Sequence, residues 1–446
     1  MRTRIVVVGA AILLLVAACG NSGSSKQSES TIPKSGATTT TISAEDLKKN
    51  VPVTAPGVTD KQINVNAVIT ESNSPTGSFG PLADGIRAYF EMINSNGGIY
   101  GRQLKLTKTY DDQLGQNAQA VRAALTDKPF ATFIAAVLFT GAPLLARANQ
   151  PTFTWNINPE FAGKNNFFAN KGALCFKCEG HVLPWLAKQL GATKIGIIAY
   201  GVSQESTECA DGLSNTYAKY GGPAKVVFKD KSLPFAANLS SDVSAMKRAG
   251  VQFIHTCVDL GESFALGKEM KRQGLNAVQT LPNGYDPEFV KKNADALDGS
   301  IIGPQFVAFE HEPQIDEVKK LFEWTNKIGV PVKESTASGW TIADEFVTGL
   351  KLAGPNFSQQ KVIDGLNTLT NYSDNGFIQP VDWTKMHQDP DKHPDARGTL
   401  DCGNFVKVQG GKLVPVYDEP GKPWVCFGEN DPNIDNPQHL SFAPAP

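Results

Sequence analysis

Residues 63–110 read "INVNAVITESNSPTGSFGPLADGIRAYFEMINSNGGIYGRQLKLTKTY". The first seven have the period-two character of a strand. After a polar, glycine-containing stretch, Leu82, Ile86, Tyr89, Phe90 and Ile93 fall on one face of a helix. Pro81 stands near its first turn, where a missing N–H costs nothing. "NSNGG" then stops the helix, because glycine readily takes the left-handed turn that ends one. "QLKLTKTY" reads as the next strand. A strand, a helix and a strand in that order form a βαβ unit, which requires parallel pairing with both sheet faces covered.

The same rhythm continues outward. "GQNAQAVRAAL" reads as a helix, "FATFIAAVL" as a strand, "GAPLLARAN" as a helix and "PTFTW" as a strand. It breaks at "FFANKGALCFKCEG" and then restarts, with helix "HVLPWLAKQL", strand "KIGIIAY", a helix beginning near Thr207, strand "AKVVF", helix "LSSDVSAMKRA", strand "VQFIHTC", helix "ESFALGKEMKRQ" and strand "VQTLP". Helical segments follow over residues 317–328 and 338–352, then "QQKVIDGLNTL", a loop-rich stretch and a Pro/Asn-rich tail. The pattern predicts an α/β protein of two lobes, each a mainly parallel sheet flanked by helices.

Before this core the chain has a different character. Arg2 and Arg4 precede an uncharged apolar stretch over residues 5–16, which suits an export signal and is too short for a span of about 20 apolar residues. Val16-Ala17-Ala18-Cys19 resembles the lipobox of bacterial lipoproteins, which implies cleavage before Cys19 and a diacylglycerol on its thiol. Two acyl chains hold a protein stably at a membrane, where one would not. The Ser/Thr/Gly-rich residues that follow have too little to bury to offset their ordering entropy, and read as a flexible leash.

The chain has 446 residues, 41% of them hydrophobic and 19% charged, enough for a large core in two domains or lobes. A formal net charge of −2 leaves no basic surplus for nucleic acid or for broad adhesion to anionic lipid. Of seven cysteines, Cys19 is assigned to the anchor, which leaves an even set in an exported chain: Cys175, Cys178, Cys209, Cys257, Cys402 and Cys426. Three disulfides are expected. Cys402 and Cys426 flank "GNFVKVQGGKLVPVYDEPGKPWV", where a Gly-Gly turn between alternating strands reads as a hairpin, so these two are paired. The other pairings stay open.

"GVTDKQINVNAV", "NGGIYGR" at residues 96–102, "ASGWTIADEFVTGLKLAG" at 337–354 and "VIDGLNTLTNYSDNGFIQPVDW" at 362–383 together resemble the type I periplasmic binding proteins of the branched-chain amino acid group. That resemblance implies two α/β lobes joined by three crossings, placed here near residues 168–178, 306–312 and 375–381. It implies a signal peptide at 1–18, a linker at 19–56, lobe 1 from 57–171 and 308–375, lobe 2 from 172–307 and 376–430, and a tail at 431–446. It also implies a small-molecule ligand trapped as the lobes close, an ABC permease as partner, and a place on the outer face of the cytoplasmic membrane, held there by lipid alone. A tethered sensor with the same fold remains an alternative.

Open α/β sheets bind ligands beyond the carboxyl ends of their strands, so cleft residues follow from the strand ends. In lobe 1 these are Ser78 and Phe79, then Phe139, Thr140 and Gly141, then Trp155 and Asn156. A Thr hydroxyl beside amides at a helix start suits a carboxylate. In lobe 2 they are Tyr200, Gln204, Asp259 and Tyr285. The family's amino-acid binders set a carboxylate of the second lobe against the ammonium, and Asp259 is the candidate here, though it could equally cap the helix that follows. Tyr285 stands where an acid is expected, a departure from the amino-acid binders.

No enzyme signature accompanies these residues. Cys175-x-x-Cys178 sits in a crossing and reads as a structural bridge. "GESFALGK" has the wrong spacing for a phosphate loop, and neither G-x-S-x-G nor H-E-x-x-H occurs. "MHQDPDKHPD" at 386–395 sets His387 and His393 among aspartates at a proline-rich spacing that fits no tight metal pattern, and reads as a solvated loop. No cofactor or metal is expected.

Overall fold

The computed structural model describes residues 43, 45–74, 77–155, 162–170, 175–389, 392–393, 401–428 and 433–444. Cys19, the signal segment, most of the linker and Asn156 lie outside the described residues. Five strands make the first sheet: β1 (Gln62–Ile69), β2 (Gln103–Asp111), β3 (Thr132–Ala135), β4 (Thr152–Thr154) and β5 (Phe167–Ala169). Their order is β2-β1-β3-β4-β5, and every pair is parallel. Helices α1 (Pro81–Ser95), α2 (Asn117–Thr126) and α3 (Ala142–Arg147) connect them. β1 is central and covered on both faces, so it is fully buried from Val65 to Ile69. Its one polar residue there, Asn66, donates to the Ala124 carbonyl at 2.8 Å.

The second sheet repeats the design. Helix α4 (Val182–Gln189) leads into β6 (Lys194–Tyr200), α5 (Gln204–Tyr220), β7 (Lys225–Leu233), α6 (Ser240–Ala249), β8 (Phe253–Cys257), α7 (Leu260–Gln273) and β9 (Val278–Gln279). The strand order is β7-β6-β8-β9, again all parallel. Helices α8 (Pro287–Lys292) and α9 (Ala294–Leu297) precede β10 (Ile301–Ile302), which a parallel bridge from Thr280 to Ile301 joins to the same sheet.

Helices α10 (Asp316–Ile328), α11 (Glu334–Ala353) and α12 (Gln359–Leu366) then return to the first sheet, where α11 packs on α1, β4 and β5. The approach of α1 to α11 depends on glycine. A Cβ on Gly85 would lie 1.9 Å from the Thr336 carbonyl oxygen, and one on Gly339 would lie 2.0 Å from that of Leu82. The chain ends with β11 (Asp401–Gly403), β12 (Val406–Gln409), β13 (Lys412–Pro415), β14 (Trp424–Phe427) and β15 (Gln438–Leu440). β12 and β13 form the expected hairpin, with Gly410 and Gly411 at φ 58° and 75°, the left-handed pair that a type I′ turn requires. β12 also pairs with β10 and so extends the second sheet.

Two of the passages between the sheets run side by side: Phe306 and Ile378 form an antiparallel bridge, and Val307 donates to the Phe377 carbonyl at 2.8 Å. The fold is mixed α/β with two parallel, helix-flanked sheets. Three disulfides join Cys175 to Cys178, Cys209 to Cys257 and Cys402 to Cys426. The last links residues directly opposite one another on β11 and β14.

Several boundaries differ from expectation. β5 falls inside the stretch read as a break, α5 begins at Gln204 and not near Thr207, and α11 begins at Glu334 and not at Ser338. Ser338 has the chemistry of an N-cap and so mimics a helix start. The stretch around His387 is not a solvated loop at that residue. His387 is 3% exposed, packed 5.3 Å from the ring of Phe168 and 4.9 Å from that of Trp383, and burial lowers its pKa to about 4. Among the described residues no three His, Cys, Asp or Glu side chains gather where they could hold a metal. Among those residues, too, no helix is long and apolar enough to cross a membrane.

Candidate ligand cleft

A parallel sheet places the amino ends of its crossover helices at the carboxyl edge of its strands. The two carboxyl edges contribute to one cavity of about 500 Å³. From the first sheet's side it is lined by Gly77, Ser78 and Phe79 after β1, by Pro81 and Leu82 at the start of α1, and by Trp155 after β4. Residues 333–335 and Ser338, at the start of α11, complete that wall. The second sheet supplies Leu260, Gly261 and Phe264 from the start of α7, Asn283, Tyr285 and Asp286 from the turn after β9, and Phe289 from α8.

The walls are mainly apolar and aromatic. Phe79 and Trp155 pack with ring centroids 5.2 Å apart on one side, and Phe264 and Phe289 meet edge to face at 5.6 Å on the other. Such surfaces hold a ligand's apolar body by excluding water. Polar groups are few. Lys333 forms an ion pair with Asp286 at 2.8 Å, and the other oxygen of Asp286 caps α8 by accepting from the amides of Glu288 and Phe289 at 3.1 and 3.0 Å. Asn283 holds the turn before α8 with φ 53°, a left-handed conformation that Asn tolerates.

Of the expected site residues, Ser78, Phe79, Trp155 and Tyr285 line this cavity together. Tyr285 does so from a fixed position. Its hydroxyl donates to the Glu310 carboxylate and accepts from the Phe309 amide, while its backbone amide donates to Glu334 at 3.2 Å. Burial, with the Glu310 charge beside it, holds its phenol well above the ordinary range, so it stays neutral.

The others lie elsewhere. Phe139 is 5% exposed and packs against Phe167 at 5.9 Å, inside the first lobe's core. Thr140 is exposed, and Gly141 donates its amide to Asn117 at 2.8 Å at the head of the short helix α3. Gln204 is exposed and bonds Glu208 at 2.9 Å. Asp259 caps α7 by accepting from the Glu262 amide at 2.9 Å, and its other oxygen accepts from the Tyr200 hydroxyl at 2.5 Å. Burial, together with that bond to Asp259, raises the Tyr200 phenol far above its usual value. The acid expected to meet an ammonium is therefore occupied as a cap, and neither it nor Tyr200 lines the cavity.

A family model described as periplasmic binding protein matches residues 64–444. The chain belongs to that family. No curated protein matches it. Solved type I periplasmic binding proteins share its fold. A fatty acid ABC transporter substrate-binding protein from Thermomonospora curvata aligns over 84% of this chain and 95% of its own, at 18% identity and a TM-score of 0.64. A branched-chain amino acid transporter substrate-binding protein from Streptococcus pneumoniae, in complex with isoleucine, aligns over 79% and 98%, at 14% identity and 0.64. A branched-chain amino acid ABC transporter protein from Thermus thermophilus with bound valine aligns over 80% and 95%, at 15% identity and 0.61.

This binding protein's sequence hid part of its cleft. Asp286-Pro287 is a readable cap followed by a first-turn proline, and marks the start of α8. Nothing comparable marks α11, because its N-cap position holds Lys333, which makes no side-chain cap.

Proposed function

We propose that this protein is an extracytoplasmic lipoprotein, anchored through Cys19, that captures an amino acid or a related small amphipathic solute between two lobes and delivers it to an ABC permease. The supporting observation is the cavity lined from both sheets at once. A ligand touching both walls stabilises the closed arrangement over the open one, whereas contacts to one wall shift nothing. The named relatives with bound ligand hold isoleucine or valine, and another is named for a fatty acid. These ligands share a carboxylate and an apolar body, which the aromatic walls suit. The lobe boundaries proposed are 57–171 with 308–375, and 172–307 with 376–430.

Native mass spectrometry of protein purified from its own host tests capture by searching for a retained small molecule, and X-ray scattering with that molecule tests closure. A retained ligand and a smaller radius of gyration are expected. Protein that carries nothing and never compacts would remove the reading. For the anchor, Cys19→Ala is expected to move the folded protein from the membrane fraction to the soluble one.

A further inference from the structure

Four helices begin at the cavity, and they are finished in two different ways. On the second sheet's wall, α7 and α8 are capped by Asp259 and Asp286, whose carboxylates satisfy first-turn amides. On the first sheet's wall, α1 and α11 have Gly80 and Lys333 at their N-cap positions, and neither provides a side-chain cap. Backbone carbonyls meet the first amides instead: Leu82 and Ala83 donate to Phe79 and Gly80, and Glu334 to Tyr285, each at 2.9 Å. Without a side-chain cap, the partial positive charge of these helix starts still faces the cavity and suits an anion. With 20 residues, α11 is the longest helix among the described residues.

A second observation points to the same spot. Ser338, one turn into α11, lines the cavity and is 1% exposed, yet its hydroxyl has no hydrogen-bond partner among the described residues. Buried hydroxyls without partners are costly, and a ligand oxygen would supply the missing bond. Lys333 is the one cation among the described residues lining the cavity, and its ion pair with Asp286 leaves further N–H donors. The acids are committed: Asp286 to Lys333 and two amides, Glu334 to the Tyr285 amide. The Ser338 hydroxyl and the remaining Lys333 N–H groups are thus the donors left at α11, and the carboxylates facing them are already used.

From this we infer that the cleft takes an amphipathic monocarboxylate with no ammonium group, its carboxylate at Ser338 and Lys333 at the start of α11 and its apolar body between the Phe79–Trp155 and Phe264–Phe289 pairs. The inference rests on the capture reading above and narrows its ligand.

Titration calorimetry with sodium octanoate, leucine, octylamine and octanol tests it, with Trp155 fluorescence as a second readout. Octanoate is expected to bind at least tenfold more tightly than the other three. Ser338→Ala and Lys333→Met are each expected to weaken octanoate about tenfold while leaving octanol within about twofold, a contrast that a folding defect would not produce. Thermal melting of both variants checks that they fold. Tighter binding of leucine or octylamine, no binding of octanoate, or equal losses for octanoate and octanol would overturn the inference. Each of those results leaves capture standing, which falls only if host-purified protein holds no small molecule and does not compact.

Discussion

The two sheets are built by one rule and stabilised differently. Around the first, a single continuous apolar cluster joins β1, α1, β3 and α11, with Phe90, Phe133 and Phe153 all within 6.1 Å of Phe346. Around the β6 and β8 pair, the cores are separate and smaller, one on each face. Ile195, Ile197 and Phe253 belong to one, and Ile198, Tyr200 and Ile254 to the other. Among the described residues no disulfide joins a strand of the first sheet, although Cys402–Cys426 packs at the edge of its cluster, whereas Cys209–Cys257 clips α5 to β8 in the second. A large core excludes water from many side chains at once, but two thin ones gain from a covalent restraint on the unfolded chain.

Removing that restraint tests the contrast most strongly. A Cys209→Ser, Cys257→Ser double variant opens a crosslink spanning 48 residues, and loop entropy sets its loss at about 4 kcal/mol. Removing Cys175–Cys178, only three positions apart, is expected to cost less than half of that. Denaturant melts under non-reducing conditions compare them, and equal losses would show that the second sheet does not lean on its staple.

Glycine substitutions ask the same question of packing. Gly85→Ala drives a Cβ into the backbone of α11, and is expected to cost roughly 3 kcal/mol, the upper end for overpacking. Gly196→Ala in β6 meets side chains alone, those of Val251, Met246 and Ile254 at 3.0, 3.3 and 3.5 Å, and is expected to cost under about 1 kcal/mol. The same melts decide, and the reverse order would contradict the rigid, glycine-dependent contact of α1 with α11.

Two buried histidines, His387 against Phe168 of β5 and His255 in β8, add a dependence on pH. Burial lowers His387 to about 4 and His255, in β8, to about 3. The unfolded chain binds these protons first, so stability is full above pH 6.5 and falls as pH drops toward 4, by roughly 3 kcal/mol for His387. His387→Leu is expected to flatten that slope in unfolding measurements between pH 7 and pH 4.

The cleft walls are compared through binding. Trp155→Ala and Phe289→Ala should each weaken binding of the retained ligand by roughly 1 to 2 kcal/mol, or about 5-fold to 30-fold. Calorimetry reads both. Loss from one wall alone would mean that the ligand does not bridge the lobes.

Several of these features were legible in the sequence. Ile63 to Tyr110 fixed a βαβ unit through two periodicities, and the Gly-Gly turn marked the hairpin beside Cys402 and Cys426. Ser78, Phe79, Trp155 and Tyr285 followed from the rule that ligands gather at strand ends. The same rule also chose Thr140 and Gln204, which the structure places outside this cavity, because a strand end need not face the other lobe. Asp259 shows the limit of chemistry without geometry: a carboxylate before a helix reads equally as a ligand contact and as a cap, and the Glu262 amide and Tyr200 hydroxyl occupy it.

Local order along the chain, then, determined the alternation of elements, because periodicity and caps act between residues a few positions apart. Pairings between distant segments were decided only by the tertiary structure: Cys209 with Cys257, Lys333 with Asp286, and α11 laid against α1. Ser338 is the clearest case. Its sequence context made it a helix start, but packing buried it one turn inside α11 and turned an ordinary surface serine into an unpartnered hydroxyl on the wall of the cleft.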